Sequence, residues 1–226
     1  RRKNHIPTNV EYVSELDVST DGSLLAYTSF EGREDYVWVA DIDGSSPRRL
    51  TAEGEREMYP DFGPDGTWLV TNIKTAADQP WRIRRHSLAD GSHRELWDGR
   101  ARGPKVSPDG SSIAAAFFDV DLGGFRMGTV PSEGGEPVFL DVDRTQQFLE
   151  WSPDGKGLTC YRQGDGVLNL FDVPLDGSEP RLITEIEVGT DRITGMAWNA
   201  TGDSLAVCLQ SATFDVVLVE GRIGKP

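Results

Sequence analysis

Short apolar runs, rich in β-branched and aromatic residues, alternate along this chain with polar turns built on Gly, Pro and Asp. "DYVWVAD" (35–41), "GVLNLFDV" (166–173) and "FDVVLV" (214–219) have the composition of strands. No stretch carries the three-to-four-residue apolar spacing of an amphipathic helix. The pattern predicts an all-β protein.

The runs repeat. "LDVSTDGSLLAY" (16–27), "PDFGPDGTWLVT" (60–71), "PKVSPDGSSIAA" (104–115), "LEWSPDGKGLTC" (149–160) and "MAWNATGDSLAV" (196–207) align. Their turn glycines, Gly22, Gly66, Gly110, Gly155 and Gly202, fall 44, 44, 45 and 47 residues apart. A second turn recurs in phase: "DIDGS" (41–45), "LADGS" (88–92), "SEGGE" (132–136), "LDGSE" (175–179) and, worn down, "VEGR" (219–222). In Ser-Pro-Asp-Gly, Pro sets φ, Asp bonds nearby backbone and Gly accepts the left-handed conformation a three-residue hairpin loop needs. Val18, Phe62, Val106, Trp151 and Trp198 precede this turn, and Leu25, Leu69, Ile113, Leu158 and Leu205 follow it. Both columns are expected to face the core from two paired strands.

Each unit therefore has about four short strands and no helix, which is the signature of a β-propeller blade. The expected fold is a β-propeller of five four-stranded antiparallel blades, at about residues 14–51, 58–97, 102–140, 146–184 and 192–221 of a single domain. The fifth repeat ends after its third strand, so a strand near residues 3–8 is expected to complete it and close the ring. The alternative is a six-bladed type that is truncated here. A closed ring predicts a monomer, and an open one a dimer.

Charge narrows the partners. The chain carries 23 Lys and Arg against 37 Asp and Glu, a formal net charge of -14. A nucleic-acid groove needs a basic stripe, so that partner is not expected. No apolar run reaches the length that spans a bilayer, so direct membrane insertion is not expected either. The two cysteines, Cys160 and Cys208, lack metal-ligand spacing. Their offsets from the turn glycines put them on opposite strand faces, so a disulfide between them is not expected. No metal and no cofactor is expected.

"WSPDGKGLTC" (151–160) and "ADIDGSSPRRLT" (40–51) resemble the blade motifs of TolB-like propellers, and the likeness runs over about residues 10–222. "DRITGMAWNATGDSLAVCLQSATFDVVLVEG" (191–221) is similar to the last blade of TolB-type propellers appended to bacterial membrane-anchored serine/threonine kinases and winged-helix activators. That resemblance implies a sensory or scaffolding domain of a larger regulatory or envelope protein. It would lie in the periplasm or otherwise outside the cytoplasmic membrane; a cytoplasmic site is the alternative. Similar blades also form the accessory propeller of prolyl-oligopeptidase-type peptidases, which is the alternative function, alongside other propeller enzymes.

One motif invites a catalytic reading. Gly202-Asp203-Ser204-Leu205 resembles the nucleophile block of a serine esterase family, and Asp90 with His93 resembles its Asp-x-x-His. That family has a helical fold and the opposite order of blocks. Here Ser204 aligns with Leu24, Trp68, Ser112 and Gly157 as the start of a second strand, so the repeat accounts for the match. "FFDVDLGGF" (117–125) and "DVDR" (141–144) each hold an Asp-x-Asp, but no full calcium-ligand series follows.

The connections between second and third strands vary while the strands repeat, and repeat symmetry puts them on one face. Within them Arg33, Lys74, Trp81, Arg126 and Arg162 are the candidate binding residues, because Trp and Arg anchor protein interfaces. For Trp81 the alternative is a place in the third-strand core. The expected function is non-enzymatic: binding a protein or peptide, or sensing a ligand.

Overall fold

A computed structural model describes residues 12–32, 34–141, 147–189, 191–199, 201–210 and 214–220. Among these residues the regular secondary structure is all strand. The first sheet holds β1 (Tyr12–Val18), β2 (Leu24–Glu31), β3 (Glu34–Asp41) and β4 (Arg48–Arg49). The second holds β5 (Arg56–Phe62), β6 (Trp68–Lys74), β7 (Arg82–Ser87) and β8 (His93–Trp97). The third holds β9 (Ala101–Val106), β10 (Ser112–Asp119), β11 (Gly124–Pro131) and β12 (Val138–Phe139). The fourth holds β13 (Gln147–Trp151), β14 (Gly157–Gly164), β15 (Val167–Pro174) and β16 (Arg181–Glu187). The fifth has three described strands, β17 (Arg192–Trp198), β18 (Ser204–Gln210) and β19 (Phe214–Glu220). Every sheet is antiparallel with neighbours in chain order, so each repeat is one meander, one blade. The closing strand expected near residues 3–8 lies outside the described residues.

The first turn behaves alike in all five blades. Gly22, Gly66, Gly110, Gly155 and Gly202 take φ of 71, 68, 73, 69 and 70°. In each, the glycine N–H donates to the carbonyl three residues back, at 2.7 to 3.0 Å. Asp21, Asp65, Asp109 and Asp154 accept the backbone N–H two residues on, at 2.9 to 3.0 Å. In blade 5 Thr201 stands in place of this Asp, and Asn199 Oδ1 takes over, accepting from Asp203 N and Ser204 N at 3.1 Å. A β-bulge interrupts every first strand, which adds local twist.

The chain divides into two compact units, residues 1–139 and 140–226. In the first unit Phe62 and Leu69 pack on Ala26 and Val39 of blade 1. Val106 and Ile113 pack on Trp68, Val70 and Ile83 of blade 2. In the second, Leu205, Val207 and the half-buried Trp198 pack on Leu168 and Leu170 of blade 4.

The column after the turn is buried in all five blades. The column before it departs from expectation at two places. Val18 is 41% exposed, whereas Trp151, at the same position in the first blade of the second unit, is buried. Trp198 is half-buried rather than enclosed, since its indole reaches sideways to donate Nε1–H to Thr159 Oγ1 of blade 4 at 2.9 Å.

Candidate binding surface

In the first unit the hairpins joining second to third strands lie beside the starts of the next blade's first strand. Asn72 at the end of β6 shows why. Its Nδ2 donates to Ala101 O at 3.1 Å, and its Oδ1 accepts Gly103 N at 2.7 Å. This buried amide binds the hairpin end of blade 2 to the opening of blade 3.

Two clusters form there. At the junction of blades 1 and 2, Arg56 Nε donates to Asp35 Oδ2 at 2.7 Å, and the guanidinium lies 5.6 Å from the Trp81 ring. Asp35 is fully buried and its Oδ1 has no hydrogen-bond partner among the described residues. An unpaired buried carboxylate oxygen costs free energy, and Arg56 offsets part of that cost through a charge-assisted bond. Lys74 ends β6, directly across from Arg56.

On blade 3, Phe118 and Phe125 meet edge to face at 5.5 Å. Arg100 lies 5.0 Å from the Phe125 ring and Arg102 lies 4.1 Å from it. Both arginines are exposed, and beside them the β10–β11 turn projects Val120 and Leu122, of which Val120 is 82% exposed. Tyr59, also exposed, sits in the bulge of β5 with φ of 57°. Burial of part of its ring and the charge of Glu15 raise its phenol pKa, and Arg102 acts the other way. A non-glycine residue at this φ is strained, and such strain collects at functional positions.

The candidates divide. Lys74 and Trp81 belong to the first cluster, and Trp81 is half-buried just ahead of β7. Arg126 is turned inward. It pairs with Asp119 at 3.1 Å and lies 4.6 Å from the Phe139 ring. Arg162, in the second unit, is exposed and lies over Phe171 at 5.4 Å. Arg33 lies outside the described residues. Arg56, Arg100 and Arg102 escaped the sequence reading because they belong to first strands and their approaches, not to the variable hairpins. The aromatic pair in "FFDVDLGGF" was the signal available.

The Asp-x-Asp of this turn closes the loop. Asp119 Oδ1 accepts Leu122 N at 3.1 Å, and Arg126, first, then that N–H hold its carboxyl below the usual range. Asp143 of the second Asp-x-Asp is outside the described residues. Among the described residues no group of three or more His, Cys, Asp or Glu could hold a metal ion. Nor, among the described residues, is any helix long and apolar enough to cross a membrane.

The esterase-like residues are engaged in turns. Ser204 opens β18 and donates to Asp203 at 3.1 Å. Asp90 accepts from the hydroxyls of Ser87 and Ser92, which lower its carboxyl to about 2. Folding does assemble one titratable cluster that spacing hid. Glu57 Oε1 lies 2.9 Å from His86 Nε2 and 3.4 Å from Arg84 Nη1, and Glu57 Oε2 accepts Thr51 Oγ1 at 2.9 Å. All four are buried, so the cluster ties blade 2 to the end of blade 1 inside the protein.

No family model matches the chain. Over 158 residues it is 30% identical to an uncharacterized protein of Agrobacterium fabrum, an alignment covering 64% of this chain and 53% of that one. The chain thus spans about half the length of this curated relative. Among solved structures it is similar to TolB from Acinetobacter baumannii, with a TM-score of 0.76 at 14% identity, covering 92% of this chain and 52% of that chain. It is also similar to an oligogalacturonate lyase from Vibrio parahaemolyticus, with a TM-score of 0.59 at 14% identity, covering 85% and 57%. At these identities the likeness establishes the fold, a TolB-like β-propeller.

Proposed function

We propose that this TolB-like propeller is a binding domain without catalytic activity of its own, engaging a protein or peptide across the hairpin ends of blades 2 and 3. The observation that carries the reading is the exposed Arg100–Arg102 pair over Phe125, next to the projecting Val120 and Leu122. Arginine and aromatic side chains are enriched at interface hot spots. Here they form a cationic, apolar patch on a chain whose net charge is -14. The matching ligand presents a carboxylate beside an apolar side chain. The resemblance of the repeats supports placing the domain in a larger bacterial regulatory or envelope protein outside the cytoplasmic membrane.

The test starts from peptides selected out of a random displayed library on the wild-type protein. Arg102→Glu and Val120→Asp should each weaken the selected peptides about tenfold or more. Lys156→Glu, on an exposed turn of the second unit, should leave them unchanged. Equal binding to all three variants would move the site elsewhere. Turnover of oligogalacturonate by the purified chain would replace the binding reading with a catalytic one.

A further inference from the structure

At the other end of the same strands, blades 2 and 3 form an open polar cavity of about 290 Å³ lined by Arg85, Ser87, Ser92, His93, Arg94 and Glu133. Its construction sets like against like. Arg85 on β7 stands directly opposite Arg94 on β8, and the next pair is His86 opposite His93, with rings 5.7 Å apart. Like charges directly opposite on a sheet repel, so this arrangement calls for an anion between the two arginines.

Glu133, on the turn after β11, supplies one. Its two carboxylate oxygens pair separately with Arg85 and Arg94. The turn is pinned over the cavity by Gly135 N donating to Leu96 O at 3.1 Å. Arg85 is held in place from two sides. It lies on the Trp68 ring at 3.9 Å, and its Nη1 donates to Ser132 O at 3.0 Å.

The neutralisation is half complete. One carboxylate meets two guanidinium groups. Nε and Nη2 of Arg85, and Nε and Nη1 of Arg94, have no hydrogen-bond partner among the described residues. His93, an exposed residue, contributes to the same lining. The Glu133 side chain is 70% exposed, so it can swing out into water at small cost. A dianion matches both arginines where a carboxylate matches one, and arginine forks suit tetrahedral oxyanions.

We propose that this cavity is an oxyanion site for a phosphoryl group, with Glu133 as its built-in competitor. Glu133 occupies the arginine fork until a more highly charged group displaces it. The site is separate from the hairpin-end surface and does not rest on the reading given for that surface.

The experiment is calorimetric titration with inorganic phosphate at pH 7.5 and constant ionic strength, with chloride as the control salt. Wild-type protein should bind phosphate weakly, and Glu133→Gln should bind it about tenfold more tightly, having lost both a competitor and a negative charge. Arg94→Gln placed in the Glu133→Gln background should abolish the gain. Arg94 is 46% exposed on its side chain, so this variant is expected to fold, and circular dichroism checks that it does. A phosphoserine peptide is the second ligand. Tighter binding of the peptide than of inorganic phosphate would assign a phosphorylated partner, and equal binding a free phosphate. Glu133→Gln binding phosphate no better than wild type, or keeping its gain without Arg94, would overturn the proposal.

Discussion

Replacing Asp17 with Asn should stabilise this protein at neutral and alkaline pH. Asp17 Oδ2 accepts Phe62 N at 2.7 Å, and the next member of the series, Asp61, accepts Val106 N at 2.7 Å and Lys105 Nζ at 2.7 Å. These carboxylates latch β1 to β5 and β5 to β9. Lys105 neutralises Asp61 directly, whereas Asp17 has no cation bonded to it among the described residues. Burial, first, and the charge of Asp61, second, raise its carboxyl from 3.8 to about 6. The folded state therefore binds more protons than the unfolded state between those values. The associated stability is fully present below 3.8 and is lost as pH rises through about 6. A shift of about two units corresponds to about 3 kcal/mol. An Asn side chain keeps the acceptor oxygen and cannot ionise. By linkage the variant gains about 3 kcal/mol at pH 8, roughly half that at pH 5, and nothing near pH 3.5. Urea unfolding at pH 5 and pH 8 reads this directly; with a slope near 3 kcal/mol/M the midpoint rises by about 1 M at pH 8. A variant less stable than wild type at pH 8, or a gain equal at both pH values, refutes the reasoning.

Glu57→Ala should destabilise by about 1–3 kcal/mol in the same assay, because it takes the carboxylate partner from buried His86 and Thr51, while Arg84 keeps Glu55. Burial pushes the Glu57 carboxyl up, but His86, Arg84 and Thr51 together leave it below its ordinary value of 4.5. Its share of the stability is therefore present above pH 4.5 and disappears as acid protonates it. Gly110→Ala should cost more than Gly91→Ala, measured by thermal unfolding. Both glycines have positive φ, at 73 and 72°, which costs about 1 kcal/mol. At Gly110 the added Cβ would also lie 2.9 Å from Pro64 of the preceding blade, whereas at Gly91 it meets nothing within 4 Å. Thiol labelling of the native protein should reach Cys208 before Cys160. Burial, with the charge of Asp172 adding, pushes the Cys160 thiol up to about 12.

The blades were legible in the chain because their information is local. A turn needs its Gly and Asp within a few residues of each other, and all five turn glycines take the conformation the motif demands. Strand pairing follows, since a hairpin of set length sets its register, as Trp151 opposite Leu158 and Trp198 opposite Leu205 show. Even the blade 5 variant kept its turn, by handing the work of the missing Asp to Asn199. Blade-on-blade packing is another matter, since it joins residues that no periodicity links. Val18 shares its column with Phe62 and Val106, yet it is 41% exposed where they are buried. Arg126 matched the binding residues by type and place, and folding turned it onto Asp119 and Phe139. Glu57 meets His86 across 29 residues, and Glu133 meets Arg85 across 48. Such pairs carry no signature in the sequence, because the stacking of neighbouring sheets alone decides which side chains share a space. Local chemistry specified the repeated blade, and packing between blades specified the sites.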